Sequence, residues 1–329
     1  MRKFVSFFGA HTPVFDEVNA RAKEYAKERG FDYSWVVQKP YCKEEVIGCL
    51  KESDVGLIDV EPYDASIFSQ VHERCKLLVR FGVGFDKVNL KDASQYGICC
   101  ARTTGTLSDS VAELALTQIL ACRRQLRSNR AVVESGVWDK VIGNETTHKT
   151  VGIVGFGAIG QTLAKLLSGF DCQILAYDPY PNTEKMQQLG VTPCSLEELV
   201  ERSDAISIHV PYTPQTHHLF DAERIGKMKS TAVLVCTARG NIIDEDALYE
   251  ALKARKIAGA ALDVFSVEPL PVPSRLTELD NLILTPHVAS QTVEAIWAVY
   301  KKAIDIAADF FAGKPLEKAD LLNPDYNAG

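Results

Sequence analysis

The chain has 329 residues, a formal net charge of −7, and 46% hydrophobic and 24% charged residues. This length predicts two domains, because a single hydrophobic core rarely grows beyond ~250–300 residues. The composition is typical of a folded globular protein, and the acidic balance argues against a nucleic-acid partner.

Short apolar runs alternate with helix-like segments through the first hundred residues. The runs predict strands over residues 3–8, 33–37, 55–60 and 77–81. The segments between them predict helices over residues 15–29, 43–51 and 65–74. Strands that alternate with helices imply a parallel sheet. A long helix, with an almost wholly apolar middle that should be buried, is predicted over residues 107–124.

A second alternation follows a polar stretch, residues 123–150, that we interpret as an irregular connection or arm. Its strands are predicted over residues 151–155, 173–177, 205–210, 232–236, 259–264 and 282–285. Helices are predicted between most of these strands, for example over residues 159–167 and 245–254. This pattern indicates a doubly wound sheet. One amphipathic helix, over residues 290–311, then closes the chain.

A glycine-rich turn joins the first strand of this second alternation to its helix. Gly155, Gly157 and Gly160 form G-x-G-x-x-G, in which the first glycine permits a tight turn and the second lets the backbone approach a pyrophosphate. The third allows close packing of helix on strand, and the helix N-terminus offers free N–H groups to the phosphates. The motif alone is weak, but its place between a strand and a helix predicts dinucleotide binding.

Asp178 ends the next strand, about twenty residues after the glycine turn. A carboxylate there can bind both ribose hydroxyls but repels a 2′-phosphate, and no arginine follows it directly. The sequence therefore favours NAD over NADP as the cofactor. The alternative is that Asp178 only caps the strand end.

Three charged residues follow the late strands: Arg239, Glu268 and His287. Because ligands of open α/β sheets bind beyond the carboxyl ends of the strands, the three side chains are expected to converge. An arginine can fix a carboxylate, a histidine can move a proton, and a glutamate can hold and charge the histidine. Taken singly, each also has a structural interpretation, as a cap, a solvated side chain or a hydrogen-bonding partner.

Cysteine usage and hydropathy suggest the compartment. The nine cysteines include no C-x-x-C pair, so we expect reduced thiols, no metal site and a cytoplasmic protein. No apolar run approaches the ~18 residues of a membrane span, so no membrane partner is expected.

Taken together, these segments resemble the D-isomer-specific 2-hydroxyacid dehydrogenase family over nearly the whole chain. The loop Val79-Arg-Phe-Gly-Val-Gly-Phe-Asp, the glycine turn, Thr-Ala-Arg-Gly, Glu-Pro and Pro-His-Val-Ala-Ser follow in family order. The resemblance implies a Rossmann NAD domain, residues 101–289, inserted into a flavodoxin-like substrate domain, residues 1–100 and 290–329. Both would be doubly wound α/β domains with parallel sheets.

The resemblance also implies roles for individual residues. Arg239 would bind the substrate carboxylate and keto oxygen, together with the backbone N–H groups of Val83 and Gly84. His287 would donate the proton to a 2-oxo acid, and Glu268 would raise the pKa of His287. Cofactor contacts would come from Gly155, Gly157, Ala158, Ile159, Gly160, Asp178, Val210, Pro211, Thr216, Thr237, Ala238, Arg239 and Asp263. Asp263 could hydrogen-bond the nicotinamide carboxamide.

The substrate is less well defined. Many relatives, among them 3-phosphoglycerate dehydrogenases, carry T-P-x-x-N-S before the long helix, whereas this chain has Leu107 at the Asn position. The Leu-Ser-Asp pattern here looks more like glyoxylate, hydroxypyruvate and 2-ketogluconate reductases. Glu268 argues against a formate dehydrogenase, which pairs its histidine with glutamine. A 3-phosphoglycerate dehydrogenase and an NAD-sensing, co-repressor-like regulator stay as alternatives.

Residues 123–150 resemble the dimerisation arm of the family, so a homodimer is expected. Trp138 is the candidate anchor, because tryptophan favours the centre of interfaces. The alternative is that Trp138 packs locally within the arm.

Overall fold

The structure is a computed structural model that describes residues 1–38 and 40–326. The chain divides into two compact units, Met1–Leu107 with Gln291–Gly329, and Ser108–Ser290. Residues 327–329, the end of the predicted substrate domain, lie outside the described residues. The assignment of substrate binding to the first unit stays a prediction.

The first unit contains one five-stranded, wholly parallel sheet in the order β2-β1-β3-β4-β5. Its strands are β1 (Arg2–Ser6), β2 (Phe31–Trp35), β3 (Val55–Ile58), β4 (Leu77–Arg80) and β5 (Cys99–Arg102). The order is that of a flavodoxin-like sheet, which confirms the predicted fold class for this unit. Strands β3 and β4 are buried along their whole length, and this explains why they appear in the sequence as continuous apolar runs.

Helices of the first unit connect these strands and close the chain. They are α1 (Pro13–Glu28), α2 (Lys43–Lys51), α3 (Ala65–Val71), α4 (Leu90–Gln95) and the C-terminal helix (Val293–Phe311). The C-terminal helix packs against α1. The sequence prediction missed α4 and β5, because both are short and β5 is only the four-residue run Cys-Cys-Ala-Arg. It also placed β2 two residues late, because Phe31 is buried but followed by the exposed Asp32.

The second unit contains a seven-stranded parallel sheet in the order β12-β11-β10-β9-β6-β7-β8. Its strands are β6 (Thr150–Val154), β7 (Gln173–Tyr177), β8 (Val191–Pro193), β9 (Ala205–Ile208), β10 (Val233–Cys236), β11 (Gly259–Leu262) and β12 (Leu282–Leu284). Strand order reverses beside β6, as in a Rossmann sheet, so the predicted fold class is confirmed here too. The carboxyl ends of β6 and β9 to β12 form one continuous edge.

Helices cover both faces of this second sheet. They are α5 (Ser108–Arg123), α6 (Leu126–Glu134), α7 (Ala158–Leu167), α8 (Thr183–Gln188), α9 (Leu196–Arg202), α10 (Ala222–Lys227) and α11 (Glu245–Lys253). The apolar α5 packs against α7 and the sheet, as its composition predicts. The expectation that residues 123–150 are irregular is wrong for α6, whose residues are mostly polar and none of which is buried. Among the described residues, no helix is long and apolar enough to cross a membrane.

Candidate active site

The glycine turn after β6 has the geometry that its sequence predicts. Gly155 has φ +97°, and a Cβ there would come within 2.7 Å of the His209 backbone. A Cβ at Gly160 would overlap the Gly155 carbonyl oxygen, so helix α7 approaches β6 as closely as glycine allows. Gly157 and Ala158, at the start of α7, are exposed. The helix N-terminus therefore presents free N–H groups that suit a pyrophosphate.

Asp178 follows β7 and lies beside this turn. Its Oδ2 accepts a hydrogen bond from the Phe156 N–H, and its Oδ1 accepts one from the Tyr180 N–H, both at 2.8 Å. These bonds fix the carboxylate next to the glycine turn. Each oxygen keeps a lone pair that can accept a ribose hydroxyl, so the position fits the predicted role.

The neighbouring strand ends supply further polar groups. Thr216 Oγ1 donates to the Pro211 carbonyl oxygen at 2.7 Å and so closes the loop after β9, next to the buried Val210. Thr237 Oγ1, after β10, is buried and has no hydrogen-bond partner in the described part of the chain. A buried hydroxyl without a partner at this edge of the sheet is what a contact with a bound ligand would explain. Contact of these residues with the cofactor stays a prediction.

Glu268 and His287, which follow the adjacent strands β11 and β12, form a direct pair. His287 Nδ1 and Glu268 Oε2 lie 2.8 Å apart, and about a third of each side chain is exposed, 37% and 34%. Glu268 Oε1 also accepts from the Phe265 N–H at 2.9 Å. Burial opposes ionisation of Glu268, but its hydrogen bonds and the charges of His287 and Arg239 outweigh it and lower the pKa of Glu268.

Arg239 follows β10, the next strand of the same edge. Its side chain is half-buried, and its Nη1 donates to the Ala238 carbonyl oxygen at 2.8 Å. The arginine charge contributes to the lowered pKa of Glu268. Three adjacent parallel strands thus carry an arginine, a carboxylate and a histidine at one edge of the second unit.

Asp263 lies beneath this group and is fully buried, with 0% of the residue exposed. Its carboxylate accepts hydrogen bonds from Thr285 Oγ1 at 2.5 Å and from the Val288 and Ala289 N–H groups at 2.9 Å. The His287 N–H donates to the Asp263 carbonyl oxygen at 2.8 Å. Burial raises the pKa of Asp263. Its carboxylate therefore holds the His287 loop, whereas a contact with the nicotinamide stays a prediction.

Val83 and Gly84 lie in the first unit, in the loop after β4. Neither backbone N–H donates a hydrogen bond to any described residue, so the two groups are available to an anion. In the same unit the Leu107 Cδ1 lies 2.9 Å from the position of a Cβ built on Gly82. The buried, apolar Leu107 side chain therefore packs on this loop.

A family model confirms what the glycine turn and the three strand ends indicate. The D-isomer specific 2-hydroxyacid dehydrogenase, NAD binding domain, matches residues 116–289. The chain belongs to this family. It is accordingly an NAD-dependent oxidoreductase, and the predictions of the family, the enzyme class and the cofactor are confirmed.

Individual relatives of this dehydrogenase cover most of its length. A glyoxylate reductase of Thermofilum pendens is 41% identical over 78% of both chains. A hydroxypyruvate reductase of Thermotoga maritima is 38% identical over 77% of this chain and 83% of its own. A D-3-phosphoglycerate dehydrogenase of Methanocaldococcus jannaschii is 40% identical over 77% of this chain but 49% of its own.

The solved structures agree with this family assignment. The NAD-dependent formate dehydrogenase of Staphylococcus aureus in complex with NAD has a TM-score of 0.84 and 30% identity. The match covers 97% of this dehydrogenase and 98% of that chain. The match includes residues of both units, and that enzyme was solved with NAD bound.

Sequence reasoning missed the residues of the dehydrogenase that support the His287 loop. On helix α5, Gln118 Nε2 donates to Thr285 Oγ1 at 3.1 Å, and Ser110 Oγ donates to the Ala289 carbonyl oxygen. Both are buried polar residues of α5, and they lie about two turns apart. That spacing of polar residues was the available signal, because a buried polar side chain needs a partner.

Proposed function

We propose that the protein reduces a small 2-oxo acid, of the glyoxylate or hydroxypyruvate type, to the D-2-hydroxy acid with NADH. The observation that carries this proposal is the 2.8 Å pair of His287 and Glu268 beside Arg239. A carbonyl acid needs a cation for its carboxylate and a proton for its keto oxygen, and this edge of the sheet offers both.

In this mechanism each side chain has one task. The Arg239 guanidinium binds the substrate carboxylate and keto oxygen, with help from the Val83 and Gly84 N–H groups. His287 donates a proton from Nε2 to the keto oxygen, since its Nδ1 is engaged by Glu268. The Glu268 carboxylate stabilises the protonated ring before the transfer and fixes its orientation. NADH, when bound, supplies the hydride that C2 receives.

The small substrate is favoured by Leu107 and by the relatives. Leu107 is buried and apolar, so it supplies no hydrogen bond to a phosphorylated or otherwise polar substituent. Relatives named glyoxylate reductase and hydroxypyruvate reductase align over most of both chains, whereas the phosphoglycerate dehydrogenase relative aligns over about half of its own.

Oxidation of NADH against a panel of 2-oxo acids tests the substrate. The panel contains glyoxylate, hydroxypyruvate, pyruvate, branched and aromatic 2-oxo acids, and 3-phosphohydroxypyruvate. We expect the highest kcat/KM with glyoxylate or hydroxypyruvate. Preference for 3-phosphohydroxypyruvate would establish the phosphoglycerate alternative, and the absence of any turnover would favour the NAD-sensing regulator.

The His287→Ala variant tests the assignment of the proton donor. Removal of the imidazole should lower kcat by about 10²-fold or more, as for loss of a general acid. NADH affinity should be retained, because the glycine turn and Asp178 are untouched. A variant with wild-type kcat contradicts the assignment.

We further propose a homodimer formed through the arm, residues 123–150. This arm belongs to the second unit and carries several exposed apolar side chains. Trp138 is 79% exposed, and Ile142 is 90% exposed. Exposed apolar side chains clustered in one segment mark an interaction surface. Gel filtration with light scattering should give a dimer at micromolar concentration, and Ile142→Asp should give a monomer. A monomeric wild type rejects the dimer.

We also propose that the protein is cytoplasmic. The nine free cysteines fit this location, because disulfides are rare in the reducing cytoplasm.

A further inference from the structure

Residues 317–323, which follow the C-terminal helix of the first unit, form a C-terminal segment that lies along strand β5. The Leu322 N–H donates to the Cys100 carbonyl oxygen at 2.9 Å, and Asn323 Oδ1 accepts from the Cys100 N–H at 2.7 Å. This C-terminal segment therefore satisfies groups that an uncovered edge strand would expose to solvent.

Arg102, the last residue of β5, joins the C-terminal segment to the loop after β4. Its Nε donates to the Ala319 carbonyl oxygen at 2.9 Å, and its Nη1 donates to the Val83 carbonyl oxygen at 3.2 Å. The guanidinium carbon also lies 5.4 Å from the centre of the Phe85 ring. Because the guanidinium is planar and rigid, the two hydrogen bonds fix the two chain segments relative to each other.

The Val83 carbonyl has a particular importance within this loop. It belongs to the same planar peptide unit as the Gly84 N–H, so an anchored oxygen fixes the direction in which that N–H points. Gly84 lacks a Cβ, and the peptide would otherwise rotate at low cost. A hydrogen bond from a charged donor also polarises the peptide and strengthens its N–H as a donor.

We propose that Arg102 is a positioning residue for the substrate carboxylate, supported by the C-terminal segment. The proposal rests on the proposed function, in which the Gly84 N–H binds that carboxylate. The segment itself is firmly held, since the buried Asp320 accepts from the Thr104 N–H at 3.1 Å and pairs with Lys302 at 3.0 Å. The C-terminal residues thereby contribute to substrate affinity without touching the substrate.

Steady-state kinetics of Arg102→Ala test this positioning role. We expect KM for glyoxylate, and Ki for the carboxylate analogue oxamate, to rise by about 10- to 100-fold, as for loss of a hydrogen bond from a charged group. Values of kcat and the Kd for NADH should stay near those of the wild type, because Arg239, His287 and the glycine turn are unchanged. The matched control is Lys318→Ala, an exposed cation of the same segment, which should leave all four constants unchanged.

Arg102→Lys separates geometry from charge. An ammonium group is a point charge and cannot reproduce the two directed bonds, so KM should stay close to that of Arg102→Ala. Full restoration of the wild-type KM by lysine overturns the proposal, and so does an unchanged KM in Arg102→Ala or a parallel loss of NADH affinity.

Asp320→Asn provides a second test that does not depend on Arg102→Ala being folded. It loosens the C-terminal segment and should raise KM in the same sense by a smaller factor, whereas an unchanged KM contradicts the role of the segment. His287→Ala keeps this proposal distinct from the proposed function. Loss of kcat in His287→Ala together with unchanged KM in Arg102→Ala means that only the positioning role fails.

Discussion

Gly240, which directly follows Arg239, packs against the loop that carries Glu268. A Cβ at Gly240 would overlap the Phe265 carbonyl group and the Ser266 nitrogen, far inside the 3.0 Å that real Cβ contacts keep. Relief of this overlap requires the loop to move by roughly 1 Å, and a misplacement of that size costs ~10²-fold in rate. The Gly240→Ala variant should therefore lose about 100-fold in kcat/KM, because Glu268 is drawn away from His287.

Assays of this variant should combine NADH oxidation with glyoxylate and fluorescence titration of NADH. We expect NADH affinity within about threefold of the wild type, since binding energy from the intact glycine turn and Asp178 remains. Gly226→Ala is the matched control, because a Cβ at Gly226 meets nothing within 4 Å and alanine should stabilise helix α10 by up to ~1 kcal/mol. A Gly240→Ala enzyme with near wild-type kcat/KM would refute the reasoning, and equal losses of NADH binding and turnover would show a general distortion instead.

Three further substitutions test separate parts of the second unit. Glu268→Gln should lower kcat by roughly 10- to 100-fold, because the carboxylate that orients the His287 ring is replaced by a neutral amide. A wild-type kcat in this variant contradicts the role of the pair. Asp178→Ala should lower kcat/KM for NADH and reduce the ratio of kcat/KM for NADH to kcat/KM for NADPH. If this ratio is unchanged, Asp178 does not bind the ribose. Burial lowers the pKa of His209 from 6.5 to about 4, so the native state resists protonation. Because the unfolded state binds this proton near pH 6.5, the free energy of unfolding should fall by roughly 3 kcal/mol between pH 6.5 and about 4. Urea unfolding of His209→Asn should lack this part of the pH dependence, and an identical pH dependence in the variant would contradict it.

Much of the fold follows from the sequence because parallel strands buried on both faces are continuous apolar runs. Strands β3 and β4 have this character, and they are predicted within two residues of their observed ends. Helix α6 and strand β5 were missed for different reasons. Helix α6 is mostly polar and buries none of its residues, so the sequence was interpreted as a connection, whereas β5 has only four residues.

The three residues at the strand ends were predictable because topology alone brings them together. Strands β10, β11 and β12 are adjacent and parallel, so the residues that follow them must share one edge of the sheet. The supports of these residues were not predictable in the same way. The Gln118 contact with Thr285 joins residues far apart in the chain, and only the packing of α5 on the sheet brings them together.

Asp263 shows that a residue at a strand end can have a structural role that the sequence does not predict. An aspartate in that place suits a ligand contact, yet its carboxylate accepts three hydrogen bonds from the Thr285–Ala289 stretch. His287, within that stretch, has φ +52°, in the left-handed region that is unfavourable for a side chain of this size. Such a conformation persists only where the surroundings fix it. Here the Asp263 carboxylate and the Asp263 backbone carbonyl oxygen fix it through their hydrogen bonds. The strained His287 and the buried Asp263 therefore act together, because the hydrogen bonds of Asp263 hold the His287 side chain facing Glu268.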